Sequence, residues 1–209
     1  MSFQYVIDYA ESISINRLKV VGSTTSRDGT VRSVSRGGQV WRFDVKLPDG
    51  MRWSDEWRSK ISQLEALDRT STGTFQLNNA GLAWLSQYQG NSVNSTGFVA
   101  TIVQGSTSIT LTTSPTTSSG FKFKAGDLIQ LGSSGKCYTV AADVPYTGAG
   151  STTVTLHRPC LDASASGVAL RVGANCVFSV VCTEFPQWNL FARDQVSWSG
   201  PFIFSEALV

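Results

Sequence analysis

Phe121-Lys-Phe-Lys-Ala-Gly-Asp-Leu-Ile-Gln-Leu-Gly132 is the stretch from which the fold follows, together with Lys136-Cys-Tyr-Thr-Val140 and Val154-Thr-Leu-His-Arg-Pro159. Apolar and polar residues alternate here in short runs, and glycine or proline bounds each run. The pattern predicts three short strands of a small barrel, because glycine and proline both tend to end a strand. No set of matched catalytic groups lies along the stretch, which is typical of a building block rather than an enzyme.

The composition predicts a folded protein with an unusually uncharged surface. The 209 residues are enough for one sizeable domain or two small ones. Charged residues make up 15% of the chain, below the roughly 25% of ordinary soluble proteins. No Asp, Glu, Lys or Arg occurs between Thr70 and Phe121. An uncharged polar surface suits contact with other protein, since few charges need desolvating; a Ser/Thr-rich β surface facing water fits equally well.

The charge pattern argues against nucleic acid and membrane as partners. The net charge is only +2. The arginines near the N-terminus are scattered among Asp28, Asp44 and turn residues, which predicts solvated strand faces rather than a nucleic-acid surface. No run of about eighteen apolar residues occurs, so no transmembrane helix is predicted. Asp8 and Glu11 near the start, without a basic-then-apolar signal pattern, favour a cytoplasmic origin.

One helix is predicted in an otherwise β-rich chain. A strand that alternates from Trp41 ends at Pro48-Asp49-Gly50, which has turn chemistry. Ser54 can then cap a helix that runs to about residue 68. One apolar stripe follows at helical spacing, and it consists of Trp57, Ile61, Leu64 and Leu67.

The remaining strands predict a discontinuous domain with an insertion. Loop-like segments at 89–97 and 162–167 bracket five candidate strands, near 98–103, 107–112, 127–132, 137–142 and 152–157, and a sixth follows at 168–172. A long strand at 176–185 and a final strand from Trp198 close the chain. Neither the first nor the last part has enough strands for a stable sheet of its own.

We therefore predict a mainly β fold with one α-helix. Residues 1–92 and 172–209 form one discontinuous β domain, and residues 93–171 form a barrel inserted into it. Five or six short strands in about 75 residues fit a partly open barrel of the OB type.

The residues that could carry chemistry do not form a set. His157 is the only imidazole, it has no nominated nucleophile, and we expect it to hydrogen-bond a loop. Asp127 is expected to close a turn. The cysteines lack C-x-x-C spacing and predict free buried thiols, with one disulfide as the alternative; they are Cys137, Cys160, Cys176 and Cys182. We predict no catalytic, cofactor or metal site.

A sugar-binding surface is the alternative from another class. Tyr138 and Phe123 are in phase with aliphatic neighbours and are expected in the barrel core, whereas Phe121 could serve as an aromatic platform. Tyr146 lies in a loop between Pro145 and Gly148, and it is the candidate for carbohydrate or partner contact. Nucleic-acid binding by the barrel lacks support because its cations are few.

Seven pieces of the sequence, in this order, resemble the distal tail proteins of long-tailed bacteriophages, especially the T5-like group. They are Val31-Arg-Ser-Val-Ser-Arg36, Trp41-Arg-Phe-Asp-Val-Lys-Leu-Pro48, Leu64-Glu-Ala-Leu-Asp-Arg69, Lys124-Ala-Gly-Asp-Leu-Ile-Gln-Leu131, Tyr138-Thr-Val140, Leu156-His-Arg-Pro159 and Trp198-Ser-Gly-Pro-Phe-Ile-Phe-Ser-Glu-Ala-Leu208. Each piece is weak alone, and their order across most of the chain carries the resemblance.

The resemblance implies a structural virion protein rather than an enzyme, and it implies that the domain of residues 1–92 and 172–209 is tail-tube-like. Such proteins form a homo-oligomeric, usually hexameric, ring at the distal end of the tail. The ring joins the tail tube protein to the hub, to tape-measure-associated proteins and to receptor-binding or side-fibre proteins. It is assembled in the cytoplasm of the bacterial host. A baseplate ring of a contractile tail and a carbohydrate-binding adhesion protein are the alternatives.

Overall fold

A computed structural model of the protein describes residues 2–18, 21–29, 31–35, 39–66, 69, 71–90, 97–114, 120–146 and 151–208. The predicted fold class is confirmed: these residues are mainly β, and their strands, numbered in chain order, form five sheets. Two large sheets dominate.

The first large sheet has five antiparallel strands and takes them from both ends of the chain. In spatial order they are β1 (Ser12–Leu18), β4 (Val40–Lys46), β18 (Phe202–Glu206), β15 (Val177–Glu184) and β6 (Thr72–Gln76). Strand β18 therefore lies in the centre of the five-stranded sheet, between a strand from the early chain and one from the late chain.

One face of the five-stranded sheet is covered by a helix, α2 (Asp55–Glu65). The Ser54 side chain accepts a hydrogen bond from the Trp57 amide, as the sequence predicts. Trp57, Ile61 and Leu64 are buried in one core with the inward-facing rings of the sheet. The predicted stripe is thus confirmed for these three residues, and Leu67 lies outside the described residues.

The second large sheet has six strands, and we call it the closed sheet. Its spatial order is β11 (Cys137–Thr139), β10 (Leu128–Leu131), β14 (Ala165–Val172), β7 (Val99–Ile102), β8 (Ser108–Thr113) and β13 (Thr152–Thr155). The two end strands meet, because Val140 and Leu156 form an antiparallel bridge and the Ala141 amide donates to the Thr155 carbonyl at 2.8 Å. The sheet therefore closes on itself around a second core.

Three smaller sheets complete the fold. Strands β2 (Val21–Thr25) and β3 (Val31–Ser35) form a hairpin, and β9 (Phe121–Phe123) pairs with β12 (Val144–Pro145). A three-stranded sheet contains β16 (Trp188–Phe191), β17 (Gln195–Trp198) and β5 (Met51–Arg52).

Two predictions about the secondary structure were wrong. The segment from Trp198 is not one final strand: β17 ends at Trp198, and β18 begins at Phe202 after Ser199-Gly200-Pro201, since proline donates no ladder hydrogen bond. The helix α2 is also not alone. A short helix α1 (Gln4–Asp8) and 3₁₀ turns at Ala80–Leu85 and Gly173–Asn175 accompany it. Each is too short to show an apolar helical period.

Candidate functional site

The two large sheets meet at a junction that is centred on one buried arginine. Arg158 follows β13 in the closed sheet, and its guanidinium donates two hydrogen bonds to the carboxylate of Glu206 on β18. The nitrogen–oxygen distances are 2.6 and 2.5 Å, and both side chains are fully buried. Such a two-pronged geometry fixes the orientation of both groups. The pair therefore sets how the closed sheet sits on the central strand of the five-stranded sheet.

Further hydrogen bonds surround this ion pair, although the buried Nε of Arg158 has no hydrogen-bond partner among the described residues. Arg158 donates to the carbonyl of Cys137 at 2.8 Å and to that of Gln39. The Trp41 amide donates to Glu206, and the Trp41 indole donates to the Cys137 carbonyl at 2.9 Å. Buried charges are tolerated in proteins when they are paired and hydrogen-bonded in this way.

Two further contacts join the sheets beside the ion pair. The Gln130 amide group donates to the carbonyl of Val177 at 3.0 Å and accepts from its amide at 2.9 Å. The Ser179 amide donates to the Gly135 carbonyl at 3.1 Å. Gly135 has a φ of 76°, and a Cβ added there would lie 2.6 Å from the Cβ of Ser179. Glycine is thus required for the close approach of the two backbones.

The chain segments that lead into and out of the closed sheet lie side by side. A Cβ added at Gly173 would lie 2.7 Å from the carbonyl oxygen of Ser86. Asp127 accepts hydrogen bonds from the Lys124 amide, within the predicted turn, and from the Gln89 amide. Burial raises the pKa of this carboxyl group, and the two amide donors oppose that shift. The entering segment is therefore tied to the turn before β10.

His157 hydrogen-bonds the backbone of a strand, β11, rather than the loop that the sequence predicts. Its Nδ1 accepts a hydrogen bond from the Thr139 amide at 2.9 Å, and its ring lies edge-on to Trp41 with the centroids 5.4 Å apart. This places the imidazole at the margin of the junction. These two contacts give His157 a structural role beside Trp41.

Tyr146, the predicted contact residue, is half-buried at the edge of the closed sheet. Its amide donates to the Gly120 carbonyl at 2.9 Å, and the Lys122 ammonium lies 5.7 Å from its ring centroid. Lys122 is buried and donates to the Thr152 hydroxyl at 2.7 Å, and burial lowers its pKa. One face of the Tyr146 ring is therefore shared with a cation.

The other aromatic candidates of the barrel are two buried rings and one half-buried ring. Tyr138 and Phe123 are buried in the core of the closed sheet, as predicted. The Tyr138 hydroxyl donates to Asp162 at 2.6 Å, and burial raises its pKa. Phe121 is half-buried, with the Lys124 ammonium 5.5 Å from its ring centroid. The described residues thus bring two half-buried rings, Tyr146 and Phe121, to this loop, since Phe121 on β9 pairs with Pro145 on β12.

The described residues show neither a cluster of metal ligands nor a helix that could span a membrane. Within the described ranges, no three or more His, Cys, Asp or Glu side chains are grouped so as to hold a metal ion. Three of the four free thiols are buried, and that of Cys182 is half-buried. None of the described helices has the length and apolar character needed to cross a membrane.

The second surface of interest is the uncovered face of the five-stranded sheet. Polar side chains occupy its outward positions on β1 and β4, where Ser14 pairs with Asp44 and Asn16 pairs with Arg42. Ser205 continues this face on β18, opposite Arg42. Strand β1 is an end strand of the sheet. No described strand pairs with the outer edge of β1, and the outward face beside this edge is polar.

Sequence reasoning missed the junction. Arg158 and Glu206 each lie in a piece that carries the resemblance, and the sequence assigns neither of them a role. Their separation of 48 positions leaves no local signal, although an arginine in an apolar Leu-His-Arg-Pro context hints at burial with an acidic partner.

No protein-family model matches the chain, and no curated protein sequence matches it.

Proposed function

We propose that this protein is a structural component of a bacteriophage virion. It forms a homo-oligomeric ring, of six subunits, at the distal end of the tail, and it joins the tail tube to the hub and the receptor-binding apparatus. Residues 93–171 form an OB-like barrel inserted into the domain that builds the ring. The resemblance in sequence motivates the role, and the open five-stranded sheet is the observation that supports it best.

The two ends of the five-stranded sheet differ, which favours a head-to-tail arrangement. The outer edge of β6 is bridged by the N-terminal segment, since Ser2 pairs with Thr74 and the Phe3 amide donates to the Thr74 carbonyl at 2.8 Å. Strand β1 has no such bridge among the described residues. Two different complementary surfaces on each subunit generate a ring when the rotation between neighbours closes.

The uncharged stretch between Thr70 and Phe121 supplies surface suited to contact with other protein. Trp84 lies within it, on the 3₁₀ turn Ala80–Leu85, and its side chain is 81% exposed. A large exposed indole favours burial against another protein, and its neighbours along the chain carry no charge that would have to be desolvated. This surface supports a protein that works by assembly.

The experiment is to measure the oligomeric state of the purified full chain by native mass spectrometry and electron microscopy. We expect a closed ring. Ser14→Lys with Asn16→Lys places two charges on the end strand β1, where lysine opposes strand addition. This variant should remain folded but lose the ring, whereas Thr110→Lys on β8, also exposed, should keep it.

A wild-type chain that stays monomeric at every concentration, and that is absent from assembled particles, would contradict the proposal. A ring that tolerates the two charges on β1 would instead show that the subunits meet through another surface.

A further inference from the structure

Two buried cysteines lie against each other across the junction. Cys137 belongs to β11 of the closed sheet, and Cys176 immediately precedes β15 of the five-stranded sheet. Both are buried in the same core, with exposed fractions of 0% and 1%. The Cys137 sulfur lies 3.4 Å from the carbonyl oxygen of Val177, the residue next to Cys176. The Cys137 and Cys176 thiols are also hydrogen-bonded to each other, and the Cys176 sulfur lies 3.4 Å from the carbonyl oxygen of Arg171. The two thiols therefore meet at the junction.

The surrounding contacts hold this arrangement in place. Gln130 is paired with Cys137 in the β10–β11 ladder, and its side chain bonds both backbone groups of Val177. The Cys137 carbonyl is in turn fixed by Arg158 and Trp41. The backbones that carry the two cysteines are thus positioned on both sides of the contact.

We propose that Cys137 and Cys176 form a redox-dependent disulfide that joins the closed sheet covalently to the five-stranded sheet. The reduced protein holds the two sheets by hydrogen bonds, the ion pair and apolar packing alone. The oxidised protein adds a covalent link that closes a loop of about 40 residues and restricts the unfolded chain. The inference does not depend on the ring function.

The oxidant that we name is hydrogen peroxide, which is small enough to reach a site that opens only briefly. One thiolate attacks a peroxide oxygen and becomes a sulfenic acid, and the departing hydroxide takes up a proton to form water. The second sulfur then attacks the sulfenic sulfur, the S–S bond forms, and the sulfenic oxygen leaves as a second water. Two thiols are oxidised by two electrons, and one peroxide is reduced to two waters.

The same environment explains why the reduced state persists. Burial raises the pKa of the Cys137 thiol well above its usual range, and a hydrogen bond with the Cys176 thiol adds to the shift. Because the thiolate is the reactive form, attack on an oxidant is slow while the junction is closed. We expect the disulfide to form over hours of exposure rather than seconds.

The test is mass spectrometry of the full chain after prolonged exposure to hydrogen peroxide. We expect a species about 2 Da lighter from disulfide formation, reversible by dithiothreitol, as distinct from irreversible sulfinic acid. Trypsin leaves Cys137 with Cys160 and Cys176 with Cys182 on shared peptides, so the linked pair must be assigned by fragment ions. The thermal midpoint should rise by about 5–10 °C after oxidation.

Cysteine-to-serine variants identify the linked pair without relying on fragment ions. A chain with Cys160→Ser and Cys182→Ser should still form the link, whereas Cys137→Ser or Cys176→Ser should abolish it. In the wild type, oxidation of the half-buried Cys182 reports that the oxidant has acted. A link between any other pair would overturn the proposal, and so would oxidised Cys182 beside unlinked Cys137 and Cys176.

Discussion

Arg158 and Glu206 form a two-pronged ion pair without exposure to solvent, and it connects the end of β13 to the central strand of the five-stranded sheet. The Trp41 amide also donates to Glu206, and Arg158 also donates to the backbone carbonyls of Cys137 and Gln39. A buried charge without its partner is strongly unfavourable, whereas removal of both charges leaves no such penalty. The pair therefore specifies the junction, and its contribution to stability must be measured as a pair.

A double-mutant cycle is the first prediction. Arg158→Met and Glu206→Leu should each lower the free energy of unfolding by about 3–5 kcal/mol, because each leaves an uncompensated buried charge. The double variant should cost less than the sum of the two, with a coupling measurable by denaturant titration. The exposed pair Arg42–Asp44 serves as the control, for which alanine variants should show coupling below about 1 kcal/mol. Additive costs for Arg158 and Glu206 would contradict the coupling.

Gly135→Ala is the second prediction. The added methyl group would clash with Ser179 and would sit on a backbone with positive φ, so we expect a loss of about 1–3 kcal/mol in stability. Gly167→Ala is the matched control, since its φ is 71° but no atom lies within 4 Å of the new Cβ. Thermal unfolding of the two variants separates the clash at the junction from backbone strain alone. Equal losses would show that the close approach is unimportant.

The third prediction concerns the helix stripe on the five-stranded sheet. Trp57→Ala or Leu64→Ala should cost about 2–5 kcal/mol, because each removes a large side chain from a packed core. Lys60→Ala, on the exposed side of α2, should change stability by less than about 0.5 kcal/mol. Guanidinium titration monitored by tryptophan fluorescence or circular dichroism gives the comparison. A small cost at Leu64 would mean that the helix end repacks.

Deletion of residues 93–170, with a short Gly/Ser linker in their place, is the fourth prediction. The remaining chain should fold, because the segments at Ser86 and Gly173 lie in contact and a short linker can span them. It should be less stable than the full chain, since Leu128 and Cys137 pack into its core. Circular dichroism checks this, with the same linker inserted after Val93 in the full chain as control. An unfolded deletion variant would refute the inserted-domain arrangement.

The fifth prediction separates docking from sugar binding at the loop that carries Tyr146. Tyr146 and the neighbouring Phe121 are both half-buried, and each already has a lysine ammonium over its ring, so they offer little free stacking surface and we expect no binding on a glycan array. Tyr146→Ala should leave stability nearly unchanged. Reproducible binding of the full chain that disappears in Tyr146→Ala, but not in Tyr9→Ala, would overturn this expectation.

The parts of the fold with a local cause could be predicted from the sequence. Ser54 and the spacing of Trp57, Ile61 and Leu64 are all contained in eleven residues, so cap and period together predict α2. Alternating strands bounded by glycine or proline likewise predict most of the closed sheet. The ring, its partners and the OB assignment remain predictions.

The junction could not be predicted, because its determinants are long-range. In the sequence Arg158 cannot be distinguished from a surface cation. The order of strands in the five-stranded sheet places Glu206 beside it, and only this shows that the arginine is buried and paired. Cys137 and Cys176 show no motif spacing, since they belong to different sheets. Gly135 reads as an ordinary turn glycine, and only the approach of Ser179 gives it a specific role.

The closure of the six-stranded sheet at Val140 and Leu156 has a consequence for solubility as well as for shape. A sheet whose first and last strands are joined offers no row of free amides and carbonyls to a passing chain. Among the described strands of the two large sheets, the unpaired edge is that of β1 in the five-stranded sheet. Closure of the six-stranded sheet thus removes one route to indiscriminate intermolecular β pairing, while the edge at β1 stays available for a specific one.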